Sequence, residues 1–171
     1  MGTKGIKVII AFICATLMLT ACNKDDIDYI IRHNEDKVSI NEGVAGTVYE
    51  RYGDWMPCAG CSNPNRGERA IVREVYVYEY TRIADLDSAT RYDYSDLIPI
   101  DRMPKRLVGS TVSDEEGFYE IALPAGNYSI FLIENGRVYW VGGDNYGGME
   151  PVTVKAGEVT LRNVLLDHAV Y

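Results

Sequence analysis

From residue 107 onward the chain is interrupted by a turn signal roughly every eight to twelve residues. The turns read DEEG (114–117), PAG (124–126), NG (135–136), GGDNYGG (142–148) and AG (156–157). Between them lie LVGSTVS, FYEIALP, NYSIFLIEN, RVYWVG, PVTVKA and EVTLRNVLLDH, short runs rich in β-branched and aromatic residues. Asn135-Gly136 is the strongest hairpin signal, because a two-residue hairpin turn needs positive φ at both positions. Upstream, VAGTVYERY (44–52) reads as a first strand and AIVREVYVYEYTRI (70–83) as a long one. No extended stretch carries a helical period and no internal repeat is visible. Seven or eight short strands predict an all-β sandwich or barrel.

Strand side chains alternate with period two. Val75 and Val77 therefore point one way, and Tyr76, Tyr78 and Tyr80 the other. That tyrosine stripe reads first as cross-strand packing, which tyrosine's β preference favours. A second reading is a platform for a sugar ring or an extended peptide.

The N-terminus carries a different kind of information. Lys4 and Lys7 precede an apolar run from Val8 to Leu19. A bilayer core needs about 20 residues of helix, so a run this short predicts a secretory signal and not a spanning helix. The run ends in Leu19-Thr20-Ala21-Cys22, which resembles the lipobox of bacterial lipoproteins. That resemblance implies cleavage after residue 21 and lipid chains on Cys22, the combination that makes a stable membrane anchor. Asn23-Lys24-Asp25-Asp26 resembles the signal that sends some Gram-negative lipoproteins to the outer face of the outer membrane. The division expected is a signal peptide at 1–21, a flexible lipidated tether at 22–37 and one domain at 38–171.

The chain has 17 basic and 25 acidic residues. Without Lys4 and Lys7 the excess of acid grows further. Nucleic acid attracts basic surfaces, so it is excluded as an expected partner. Removing the signal leaves 150 residues, enough to bury a core without covalent staples.

The segment SDEEGFYEIALPAGNYSIFLIENG (113–136) carries a second resemblance. Asp114, Gly117, Tyr119, Ile121, Leu123, Pro124, Gly126, Tyr128, Ile130 and Leu132 match a pattern similar to the carboxypeptidase regulatory-like domain. VAGTVYE upstream and PVTVKAGEVTLRNVLL downstream match that family's first strand and closing hairpin. The resemblance covers roughly 38–167 and implies a seven-stranded (or eight-stranded) transthyretin-like Greek-key β-sandwich. Two inserted loops depart from the short family pattern, one containing MPCAGCSNPNRGE and the other spanning 84–106. Gly117 and Gly126 fit tight turns, and residues 119, 121, 123 and 128, 130, 132 fit two neighbouring strands lining one core. The regulatory-like module is the non-catalytic partner of a zinc peptidase domain.

Catalysis is not expected. A catalytic zinc needs about three protein ligands, and the chain has only His33 and His168, with no histidine-glutamate motif. No metal or cofactor is expected. Asp144 with Asn145, and Asp114 with Glu115 and Glu116, read as turns more simply than as calcium ligands. Cys58 and Cys61 in CAGC read as a local disulfide in an oxidising compartment. Free thiols, a soft-metal site with Met56 and thiol redox chemistry are the alternatives there, although two further metal ligands are not visible and redox chemistry normally wants the first cysteine at a helix N-terminus. Trp55, Tyr92, Tyr94, Trp140 and Tyr146 lie in or beside loops, where aromatics often mark binding. The function expected is a non-catalytic cell-surface module that binds a surface protein, or a glycan or peptide through those aromatics.

Overall fold

The computed structural model describes residues 26–57, 65–91, 97–140 and 142–171. Helix α1 spans Ile27–Glu35 and strand β1 Gly43–Asp54. Strands β2 (Gly67–Ala70) and β3 (Glu74–Glu79) follow, then a one-turn 3-10 segment at Ile83–Asp85, the short helix α2 (Ser88–Arg91) and β4 (Leu97–Pro99). A second 3-10 turn at Ile100–Arg102 leads into β5 (Leu107–Val112), β6 (Phe118–Ala122), β7 (Gly126–Glu134) and β8 (Arg137–Tyr139). The chain closes with β9 (Pro151–Val154), β10 (Val159–Leu161) and β11 (Val164–Val170).

The strands form two sheets, neither closed into a barrel. In the first, the long β1 is central. It pairs antiparallel with β2 and β6 and parallel with β10 and β11. The second has the order β4-β8-β7-β3-β5, with β9 on β7 beyond the end of β8. The all-β sandwich character is therefore present. Eleven strand segments are seen among the described residues, where seven or eight were expected. The long strand read over 70–83 divides into the end of β2 and β3, the stretch 158–168 divides into β10 and β11, and the second insertion adds β4.

Alternating side chains from both sheets fill the space between them. Val44, Val48, Tyr119 and Leu166 come from the first sheet, and Val75, Val77, Ile130 and Leu132 from the second. All are 1% exposed or less. Each fully buried aliphatic side chain contributes about 1.5–3 kcal/mol of transfer free energy. The two predicted triplets do line this core, but β6 pairs with β1 and β7 with β3, so they face one another across it. Tyr119 is the largest of these side chains. Its hydroxyl donates to the Arg162 carbonyl at 2.6 Å, and burial pushes its pKa upward.

The closing hairpin expected over 151–166 is not formed among the described residues. β9 lies in the second sheet, whereas β10 and β11 run parallel to β1 in the first. The chain crosses between sheets at the Lys155–Glu158 turn. It then passes over β1 at Gly46, where a Cβ would lie 2.1 Å from the Arg162 carbonyl oxygen. Only a glycine lets the two backbones come that close. Gly117 has φ +73° as a turn requires, whereas Gly126 lies inside β7 without positive φ.

The described parts of the insertion at 84–106 join the second sheet in two ways. Leu86 packs with Met149 against Tyr78, Phe131, Ile133 and Val138, and Ile98 joins the same cluster from the edge strand β4, opposite Val138. Tyr78 is 3% exposed and Tyr76 packs against the same cluster. Tyr78 is thus part of a second core and Tyr76 packs against it, so these two members of the stripe form no open platform.

The expected flexible tether at 22–37 is corrected from Asp26 onward. Asp26 caps α1, its side chain accepting from the Asp28 amide at 3.0 Å. Ile27, Ile30, Ile31 and Asn34 recur at helical spacing and share one face. That face packs on β1 and β2. Asn34 is 1% exposed, and its amide donates to Thr47 Oγ1 and the Glu116 carbonyl, each at 2.9 Å. Residues 26–37 therefore belong to the folded unit. Cys22 lies outside the described residues.

Candidate functional site

The loop between β8 and β9 is tied down at nearly every residue. The Asp144 Oδ1 accepts from the Tyr146 and Gly148 amides, both at 2.8 Å. Its Oδ2 accepts from the Tyr80 hydroxyl at 2.8 Å. The backbone adds Asp144 N–H to Gly148 O, Gly147 N–H to Asp144 O, Met149 N–H to Thr81 O and Ile83 N–H to Gly147 O. Gly148 lies against Tyr80, so a Cβ there would meet the phenol oxygen at 2.4 Å. Below the loop, the buried Glu150 carboxylate accepts from the Gly142 amide and from Arg162 at 2.8 Å.

These bonds hold one side chain out into solvent. Tyr146, at the tip, is 86% exposed. A loop fixed by its own hydrogen bonds loses little freedom when a ligand arrives. Burying the tip ring in a complex would remove a large apolar surface from water.

The ring stands at an open groove of about 400 Å³ lined by Tyr80, Asn127, Asp144, Tyr146, Pro151, Val152 and Thr153. Small-molecule sites commonly span about 300–1,000 Å³. β7 supplies Asn127 and β9 supplies Pro151, Val152 and Thr153, so the floor is regular sheet. The Thr153 hydroxyl donates to Asn127 Oδ1 at 2.8 Å. The amide bond from Gly148 and the hydroxyl bond from Tyr80 hold the Asp144 carboxyl below its usual pKa. Its hydrogen bond to that carboxylate raises the Tyr80 phenol. At neutral pH the groove therefore carries a carboxylate and a neutral phenol, and the described residues of its lining include no Lys or Arg.

Of the loop aromatics singled out from the sequence, Tyr146 is the one among the described residues that lines this groove, and Tyr80, the last member of the tyrosine stripe, lines it too. Trp55 lies beyond the end of β1, its Nε1 donating to the Tyr52 carbonyl at 3.0 Å. The guanidinium groups of Arg51 and Arg66 each stand 5.2 Å from its ring. Trp140 packs against the second core, and its Nε1 is buried with no acceptor among the described residues. Tyr92, Tyr94, Cys58 and Cys61 lie outside the described residues. Sequence reasoning missed Asn127 and Thr153 as groove residues, and it named Tyr80 only as part of the tyrosine stripe. The available signal was the paired glycines of GGDNYGG, which bracket an aspartate and an aromatic in a tight turn.

The two acidic turns use their carboxylates internally. Asp114 Oδ1 accepts from the Glu116 and Phe118 amides, both at 2.9 Å, and Lys37 pairs with Asp114 and Glu116. Among the described residues, no group of three or more His, Cys, Asp or Glu side chains is placed to hold a metal.

No protein-family model matches the chain, and neither does any curated protein or any solved structure.

Proposed function

We propose that this chain is a non-catalytic, lipid-anchored binding module displayed at the outer membrane, and that it holds its ligand in the Tyr146 groove. The anchor is assigned to Cys22 on the strength of Leu19-Thr20-Ala21-Cys22 behind an apolar signal, and the outward face on Asn23-Lys24-Asp25-Asp26. The carboxypeptidase regulatory-like, transthyretin-like reading of 113–136 is retained as part of the same proposal. It supports an accessory role, because fold of itself carries no activity.

One observation carries the binding reading: a hydrogen-bonded loop presents an 86% exposed tyrosine over a groove of about 400 Å³. An exposed ring on a fixed loop contributes nothing to the protein's own core. It has a physical role once a partner covers it.

Two measurements on cells test this. Labelled palmitate should enter the wild-type protein and not a Cys22→Ser variant. The purified chain should bind isolated cell envelopes saturably, with binding reduced in Tyr146→Ala. Saturable binding that Tyr146→Ala leaves intact would remove the groove from the proposal.

A further inference from the structure

We propose that the ligand of the Tyr146 groove is a neutral saccharide, one or two rings of which lie against Tyr146 and Asn127. This rests on the reading of that groove as a binding site and narrows its ligand to one chemical class.

Charge makes the first selection. The Asp144 carboxyl is held below its usual pKa by the donors bound to it, and no cation is among the described residues that line the groove. The chain as a whole carries a formal net charge of −8. A phosphate, sulfate or uronate brought into that groove would meet the Asp144 charge with no cation among the described lining residues, and the nearby Arg82 is paired with Asp85. Nucleotides and sulfated or acidic glycans are disfavoured for the same reason.

The arrangement of polar groups makes the second. Asn127 uses its Oδ1 to accept from Thr153, and its Nδ2 has no partner among the described residues. Asn127 lines the groove, so its amide donors remain available to a ligand there. Asp144 offers further acceptor capacity beyond the three bonds it already accepts. Donors from an amide and acceptors from a carboxylate in one groove match vicinal hydroxyls, each of which both donates and accepts a hydrogen bond. The exposed Tyr146 ring supplies what the other side of a pyranose needs, a flat apolar surface for its C–H face.

A peptide adding as a strand fits less well. Edge recognition of that kind needs a free row of backbone groups. At β9 the Thr153 carbonyl already accepts from Thr160 Oγ1 at 2.7 Å, and β10 stands beside it. The groove is entered through side chains, which is how sugars are read.

The test uses the full chain purified in detergent. An array of neutral and acidic oligosaccharides is followed by saturation-transfer NMR titration with any neutral disaccharide that binds. The expected result is transfer to sugar ring C–H protons, weakened at least tenfold by Tyr146→Ala and by Asn127→Ala and unchanged by Trp55→Ala. A blank array, or binding confined to acidic sugars, overturns the saccharide assignment. Saccharide binding that ignores both groove substitutions overturns its location. If the array is blank while envelope binding still depends on Tyr146, the groove stands as a site and only the ligand class falls. If both fail, the binding reading falls with it.

Discussion

His168 places its Nδ1 2.8 Å from Glu50 Oε1, and its Nε2 reaches Glu134 Oε1 at 2.9 Å. One imidazole thereby joins the two sheets, since Glu50 belongs to β1 and Glu134 to β7. Both ring nitrogens can donate only when the ring is protonated. Burial alone would lower the His168 pKa, but the hydrogen bonds to Glu50 and Glu134 outweigh it and the pKa is raised above 6.5. Burial likewise opposes ionisation of Glu50, yet its bonds to His168 and Arg69 leave its pKa below 4.5.

These shifts set a pH window for stability. A raised histidine stabilises fully below its unfolded pKa, and that contribution is lost as pH rises through the folded value. A lowered carboxyl stabilises above its unfolded pKa and loses its contribution as pH falls through the folded value. The His168 bridge should therefore add most between about pH 5 and 6.5. His168→Gln should cost about 1 kcal/mol or less there, because the ring is partly exposed and screened. Urea unfolding of both proteins from pH 5.5 to 9 measures this. A difference that stays constant across the range would show that protonation of the ring is not involved.

The strands after residue 107 were legible because alternation and turn chemistry are local. Asn135 and Gly136 take φ of 51° and 71° and join β7 to β8 as a two-residue hairpin. Sheet membership was not legible. Period two tells which face a residue occupies, not which strand lies beside it, so Tyr119 and Tyr128 look like neighbours and prove to be opposed. Helix α1 escaped notice because its apolar face is short and ends in Asn34, a polar residue buried through hydrogen bonds that the sequence does not display. The groove was half legible. Tyr146 stood out as a loop aromatic and Tyr80 as the end of the tyrosine stripe, but Tyr80 follows β3 while Asn127 and Thr153 lie in β7 and β9, and only strand pairing brings them together.

The docked helix has a measurable weight. Asn34→Ala removes donors to Thr47 Oγ1 and the Glu116 carbonyl in a site that is 1% exposed. Leaving buried acceptors unpaired costs about 1–3 kcal/mol. A chain beginning at Val38 should lose more, because the surface of β1 and β2 beneath α1 becomes exposed as well. Thermal unfolding of the two variants checks the order. A chain from Val38 as stable as one from Asp26 would return residues 26–37 to the status of a tether.

Two tyrosines that look alike in sequence should behave oppositely. Tyr78 is 3% exposed and stands edge-on to Phe131 with ring centroids 5.9 Å apart. Tyr78→Ala should cost about 3–5 kcal/mol, the range for emptying an aromatic site in a core. Tyr146→Ala, at an exposed tip, should change stability by less than about 0.5 kcal/mol. Denaturant midpoints at constant slope test both. A large loss at Tyr146 would mean that its ring supports the loop, and binding defects in that variant would then need a different explanation.

Two glycines with nearly the same backbone angle separate conformational strain from crowding. Gly117 has φ +73° and Gly136 φ +71°. A Cβ on Gly136 meets nothing within 4 Å, whereas one on Gly117 would lie 2.3 Å from the Val48 carbonyl oxygen. That approach is built into the fold, because the Val48 amide donates to the Gly117 carbonyl at 2.8 Å and so fixes the turn against β1. Gly136→Ala should therefore pay only for left-handed φ, about 1 kcal/mol. Gly117→Ala carries the same strain and must also move the turn away from β1, which breaks the Val48 bond and disturbs Lys37 and Asn34 beneath it. Its loss should reach about 3 kcal/mol, near the upper end for a strained backbone position. Paired urea titrations give the comparison directly. Equal losses at the two sites would show that the turn at 114–117 can lift off β1 freely, and the seat of helix α1 on that turn would then be far softer than its hydrogen bonds indicate.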